Sequence, residues 1–402
     1  MIQEFDDELS KAGIDAIIVI GDSTFGNPSL AYVVGAKATR GGIYIKKAGR
    51  EPLLIVSDID IGSAKEGIVK DIRSYTRFGY LELAKELGRS KANMEIGARA
   101  LKELDVKGKV SIAGKVEAGI ALSWAEWLKS KGFSVSIEGE LIDRVRTTKD
   151  AAEISKIRDV GKKTEKVIDA TLKMLLECEV DRDSRLKSEG GRPLTVRDVK
   201  SFINMRLAEQ SLIASEDTIF AVGAEGADPH NVGGESTTIT AGTPIVFDIF
   251  PQEIGGYCFD TTRTFVIGNA SEKVRKIYGD VLESQQLALD IIRTGMPAKE
   301  VMIKVCEFFK ERGHRTPTDY INKNIPMSEG FIHGLGHGVG LTIGEPPYLT
   351  LTSDEPLREG AVTTVEPGLY FPDEFGVRIE DVVVVKEDKI RNLSTYHKEL
   401  EI

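Results

Sequence analysis

Cysteine is nearly missing: Cys178, Cys258 and Cys306 are the whole supply in 402 residues, far apart and without a CxxC pair. That excludes a disulfide-stapled secreted scaffold and makes a thiol-reducing cytoplasm the expected setting. No apolar run approaches membrane-spanning length, so a membrane partner is not expected. The opening MIQEFDDELSKAGIDA is acidic and amphipathic, not basic then apolar, and does not read as a secretory signal. Blocks of lysine and arginine are also lacking, and the formal charge is −10, which argues against a nucleic-acid partner. No glycine fingerprint follows the first apolar run: IVIGDSTFGNPS lacks GxGxxG, which rules out the usual dinucleotide site. Histidine is scarce as well, with five in the chain.

What remains is a globular composition, 41% hydrophobic and 29% charged, at a length that suits two domains. Residues 1–147 alternate apolar runs (DAIIVIG, GIYIKK, PLLIVS, KVSIAG) with helical spacing at 81–87, 94–104 and 119–131. That order predicts an α/β domain with a mixed or parallel sheet, several strands being buried on both faces. Trp124 and Trp127, at helical spacing, are expected in its core. The polar stretch RVRTTKD (144–150) reads as a connector, and the second domain is placed at 148–402.

The second domain looks internally duplicated. Asp150 and Glu153 form a capping pair that opens a long helix to about 176, with Ile154, Ile157, Thr164, Ile168 and Leu175 on one face. A Gly191-x-Pro193 turn, a helix over 196–210 and a hairpin follow. The order then repeats: a helix over 272–293, Gly295-Met296-Pro297, a helix over 298–312 ending at Gly313, and a last hairpin. The first hairpin, PIVFDIFPQEIGGYCFDTTRTF (244–265), carries Asp248 and Asp260, one on each arm. The last, VTTVEPGLYFPDEFGVRIEDVVVV, carries Glu366 and Glu380 in the matching places, 118 and 120 residues on. Alone, either aspartate could sit at a solvated strand end. Carboxylates forced together on an apolar sheet need a cation, a shared proton or solvent.

Between the hairpins lies FIHGLGHGVGLTIGEPP, with His333 and His337 among Gly334, Gly336, Gly338 and Gly340. A helix is improbable there, so a loop or strand is expected to bring one imidazole to a metal and another to substrate. Four carboxylates and one imidazole make an oxygen-rich set, unlike a closed structural zinc site. It suits two divalent ions bridged by carboxylate and water: manganese or cobalt first, with ferrous iron and zinc as further candidates.

The motifs FD…FDTTRTF, HGLGHGVG, VEPG and GVRIED, in that order, resemble the pita-bread metallopeptidases. That group includes Xaa-Pro dipeptidase (prolidase), aminopeptidase P, methionine aminopeptidase and the metal-free creatinase. The first domain is similar to the smaller domain of the prolidase and creatinase members. The resemblance implies an α+β pita-bread catalytic domain with a pseudo-twofold duplication, and a homodimer. It implies that Asp248, Asp260, His337, Glu366 and Glu380 are the metal ligands, with Asp260 and Glu380 bridging. It further implies hydrolysis of Xaa-Pro bonds by a bridging hydroxide, with Glu366 as general base, and a small peptide with proline second as substrate. His333 matches a histidine that contacts substrate, and His230, in ADPHNVGG, one that lines the same pocket. Arg378 would grip a carboxylate through two nitrogens, whether a metal ligand or a peptide C-terminus. The chain departs from the pattern at Gly344, where prolidase-like members carry the histidine of HEPP. The alternative is therefore a weakened or metal-free homologue, either a creatinase-like hydrolase or a binding module.

Overall fold

The computed structural model describes residues 2–402 except 36–39, 137, 322 and 324. Two compact units divide at Arg146 and Thr147, the short turn Ile254–Gly256 apart. Among the described residues no helix is long and apolar enough to cross a membrane.

In the first unit the apolar runs become β1 (Ala16–Gly21), β2 (Gly42–Lys47), β3 (Leu53–Val56) and β5 (Lys109–Ala113). Two further strands complete the sheet, β4 (Asp71–Ser74) and β6 (Ser134–Ser136), in the order β4-β3-β2-β1-β5-β6. Pairing is antiparallel at β1–β2 and β2–β3 and parallel elsewhere, so the sheet is mixed as expected. Ile17, Ile18 and Val19 are all fully buried, which requires cover on both faces of β1. Trp124 lies in this core against Gly97, where a Cβ would stand 2.6 Å from the indole. Trp127 is only partly buried, with the Lys131 ammonium 4.7 Å from its ring centre.

In the second unit the capping pair is present: Asp150 Oδ1 accepts from the Glu153 amide, Glu153 Oε2 accepts from the Asp150 amide, and helix Ala151–Leu176 follows. Helix Val196–Glu209, then Glu272–Ile291 and Ala298–Glu311, reproduce the expected duplicated order. Both turns hold a glycine at positive φ, Gly191 at 73° and Gly295 at 83°. Strand Pro244–Ile249 pairs antiparallel with Thr261–Val266, and Val362–Val365 with Asp381–Val385.

Residues 144–150 carry the division between the two units, but they are not free chain: helix Leu141–Arg146 runs into them, and Arg146 and Lys149 are both buried. Lys149 Nζ is 2.7 Å from Glu345 Oε1, an ion pair almost without solvent contact. The two hairpins are also not in strict register. Ile249 pairs with Thr261 and Val365 with Asp381, so Asp260 and Glu380 each sit just before an equivalent strand. Asp248, however, lies inside its strand while Glu366 lies one residue beyond its own. The stagger is two residues, which keeps side chains on the same face because strand side chains alternate with a period of two.

Candidate metal centre

The stretch with alternating glycines forms strand Gly336–Val339, and His337 projects from it. Its glycines are needed for close approach. A Cβ at Gly336 would lie 2.1 Å from the Thr364 carbonyl oxygen, and one at Gly338 2.3 Å from that of Pro346. Neighbouring hydroxyls then fix the strand: the His337 amide donates to Thr364 Oγ1 at 3.0 Å, and Thr363 Oγ1 donates to the His337 carbonyl at 3.0 Å.

Ligand atoms of Asp260, His337 and Glu380 all lie within 4.8 Å of one another. His337 Nε2 is 3.6 Å from Asp260 Oδ2 and 3.5 Å from Glu366 Oε1. Asp248 stands at the same centre through Arg378, whose Nη2 donates to Asp248 Oδ2 at 2.7 Å. Its other carboxylate oxygen, Asp248 Oδ1, is buried without a hydrogen-bond partner among the described residues, and so is Asp260 Oδ1. Burial and mutual repulsion push Asp260 and Glu380 far above the usual carboxylate range. Glu366 is raised to about 7 by burial, with Arg378 opposing and Asp248 reinforcing the shift. Three buried carboxylates, the partly buried Glu366, one guanidinium and orphaned acceptor oxygens form a site short of positive charge. Its donor set fits hard or borderline divalent cations.

Behind the carboxylates runs a buried hydrogen-bond chain. Arg378 Nη1 donates to the Tyr370 hydroxyl at 2.8 Å, and that oxygen is 2.8 Å from His333 Nε2. The other ring nitrogen, His333 Nδ1, is 2.6 Å from the Gly334 carbonyl, which can only accept. Burial, with Arg378 adding to it, lowers the imidazole to about 3, so it is neutral. Its single proton therefore sits on Nδ1, and Tyr370 donates to Nε2. His333 has both nitrogens engaged by the protein. Arg378 holds Asp248 through one nitrogen rather than the expected two, because the others serve Tyr370, Thr262 and the Pro229 carbonyl. That last bond brings Pro229 against Arg378, with its neighbour His230 exposed. Residues 229–230 thus lie at the edge of the centre.

Tyr370 and Thr262 escaped the sequence reading. The signal for Tyr370 was its hairpin partner Gly376, directly across the ladder, since a glycine opposite a large ring marks a close approach. Gly344 is exposed, adopts φ 76° and has nothing within 4 Å of where a Cβ would stand. Its amide lies 3.3 Å from His337 Nδ1, and its carbonyl accepts from the Tyr348 hydroxyl at 2.6 Å.

Residues 155–387 match metallopeptidase family M24. The Xaa-Pro dipeptidase of Pyrococcus furiosus is 30% identical over 375 residues, 93% of each chain. That of Pyrococcus horikoshii is 28% identical over 98% of this chain and 96% of its own. Among solved structures, prolidase from Pyrococcus furiosus superposes with TM-score 0.72 at 27% identity, covering 98% of this chain and 100% of that one. The fold is shared as well with the Xaa-Pro dipeptidase from Bacillus anthracis, at TM-score 0.80 and 24% identity over 100% and 99% of the two chains. A family match over more than half the chain, with likeness to the Pyrococcus furiosus protein along nearly all of it, makes this chain a member of metallopeptidase family M24, an enzyme whose second unit has the pita-bread fold.

Proposed function

We infer that this metallopeptidase cleaves the bond between a first residue and a following proline, using two divalent cations held by Asp248, Asp260, His337, Glu366 and Glu380. The observation that carries the reading is the meeting of four carboxylates and an imidazole around orphaned buried oxygens on Asp248 and Asp260. Manganese or cobalt suits that donor set best. Bound cations would polarise the scissile carbonyl and make a water nucleophilic near neutral pH. The residues of the chain do the rest. Glu366, beside His337 at the centre, accepts the proton of the attacking water and passes it to the departing proline nitrogen. Arg378 is a positioning residue whose donors are committed to Asp248, Tyr370, Thr262 and Pro229. His333 supports Tyr370 from behind, and His230, exposed at the edge, lines the substrate pocket.

The names of the Pyrococcus relatives favour a dipeptidase over an aminopeptidase. Elemental analysis after loading with manganese is expected to give about two ions per chain that a chelator removes together with activity. Protein that retains no metal would overturn the reading in favour of a metal-free homologue. Ala-Pro should turn over well, Ala-Ala poorly and Ala-Pro-Ala slowly. Equal rates on the first two would dismiss the proline preference, and rapid cleavage of the tripeptide would make the enzyme an aminopeptidase.

A further inference from the structure

Thr262 has no assigned part in the reaction, yet it holds Glu380 at both ends. Its carbonyl accepts from the Glu380 amide at 3.1 Å, and its hydroxyl donates to Glu380 Oε2 at 2.8 Å. The same hydroxyl receives Arg378 Nε–H at 3.2 Å. A guanidinium has no acceptor and keeps its protons, and a carboxylate ionised, as a cation ligand must be, can only accept, so with cations bound the direction of this pair of bonds is fixed. Nε–H points at Oγ1, and the hydroxyl proton points at Oε2. Thr262 lies directly across the ladder from Asp248, whose Oδ2 takes Arg378 Nη2–H at 2.7 Å. One buried cation therefore claims one oxygen on each of two carboxylates, Asp248 directly and Glu380 through the threonine. The opposite oxygen of Asp248, Oδ1, is buried without a hydrogen-bond partner among the described residues, and a carboxylate oxygen of Glu380 lies within 4.8 Å of ligand atoms of Asp260 and His337. A β-branched residue in a strand has little rotamer freedom, which holds the hydroxyl on its line.

We propose that Thr262 is a positioning residue that selects the oxygen Glu380 presents to the cations and ties Glu380 to Asp248 through Arg378. The inference rests on the two-cation reading above. Its test is manganese affinity, read from the loss of the free-ion spin-resonance signal on titrating metal-free protein. Wild type should bind. Thr262→Val keeps the shape and removes the hydroxyl, and should weaken binding on the order of 10–100-fold, as loss of a bond to a metal ligand does. Thr262→Ser should recover most of that loss. If wild type takes up no manganese, both the two-cation reading and this one fall. If wild type binds and Thr262→Val binds equally well, or if Thr262→Ser loses as much as Thr262→Val, only the role of Thr262 is overturned. Should the valine variant fail to fold, neutron diffraction of manganese-loaded wild type decides: a deuteron on Thr262 Oγ1 aimed at Glu380 Oε2 supports the assignment, and one aimed elsewhere refutes it.

Discussion

At the scale of single residues, Tyr370 does the most with the least exposure. It is fully buried, and its hydroxyl joins the neutral His333 ring to the charged Arg378. Tyr370→Phe leaves His333 Nε2 without its donor and Arg378 Nη1 without its acceptor. A loss of about 1–3 kcal/mol in denaturant unfolding is expected, with a fall in kcat that hydroxyl-free packing cannot restore. Unchanged unfolding would show that water replaces the hydroxyl. Gly344 poses the opposite case, a residue whose side chain is missing. The site around it is open, but φ 76° is a conformation histidine adopts only at a cost of about 1–2 kcal/mol. Gly344→His is expected to lower the melting temperature slightly and raise turnover of Ala-Pro. A lower or equal rate would mean that this active site does not lack an imidazole there.

Individual elements show how much of the molecule could be read in advance. Continuous apolar runs identified β1, β2, β3 and β5, and the Asp150/Glu153 pair located the start of the long helix. The edge strands β4 and β6 escaped because they are half-exposed and polar, with no apolar run to betray them. The offset between Asp248 and Glu366 was hidden for another reason. Register is set by cross-strand pairing, which spacing along the chain does not reveal. The motifs singled out Asp260, His337 and Glu380, which the fold brings together, whereas Tyr370, Thr262 and Lys149 work through partners remote in sequence. Strand Gly336–Val339 tests the steric side of the account. Gly336→Ala would drive a methyl into the Thr364 carbonyl and displace His337. We expect at least 1–3 kcal/mol of destabilisation and reduced manganese uptake by elemental analysis.

For the whole molecule, the centre sets stability against charge. A carboxyl raised to about 7 in the fold from an ordinary value of 4.5 binds a proton that the unfolded chain has already released. Between those two values the native state holds more protons, so metal-free stability falls as pH rises through that window. The metal-free protein should melt at lower temperature at pH 8 than at pH 5, and divalent cations should abolish the difference. A flat profile without metal would contradict the burial of these groups. The Lys149–Glu345 pair makes a second demand on the second unit, joining residues almost two hundred positions apart. Lys149→Met removes the ammonium that faces the Glu345 carboxylate and should destabilise the protein in unfolding experiments, and unchanged stability would show that the pair contributes nothing net.

Asp260 and Glu380 enter the centre from the mouths of two strands 120 residues apart, and His337 arrives from a third. A ribosome that has not yet released Glu380 from its exit tunnel carries a polypeptide in which these three groups cannot yet meet. The centre is thus assembled only after synthesis has passed Glu380.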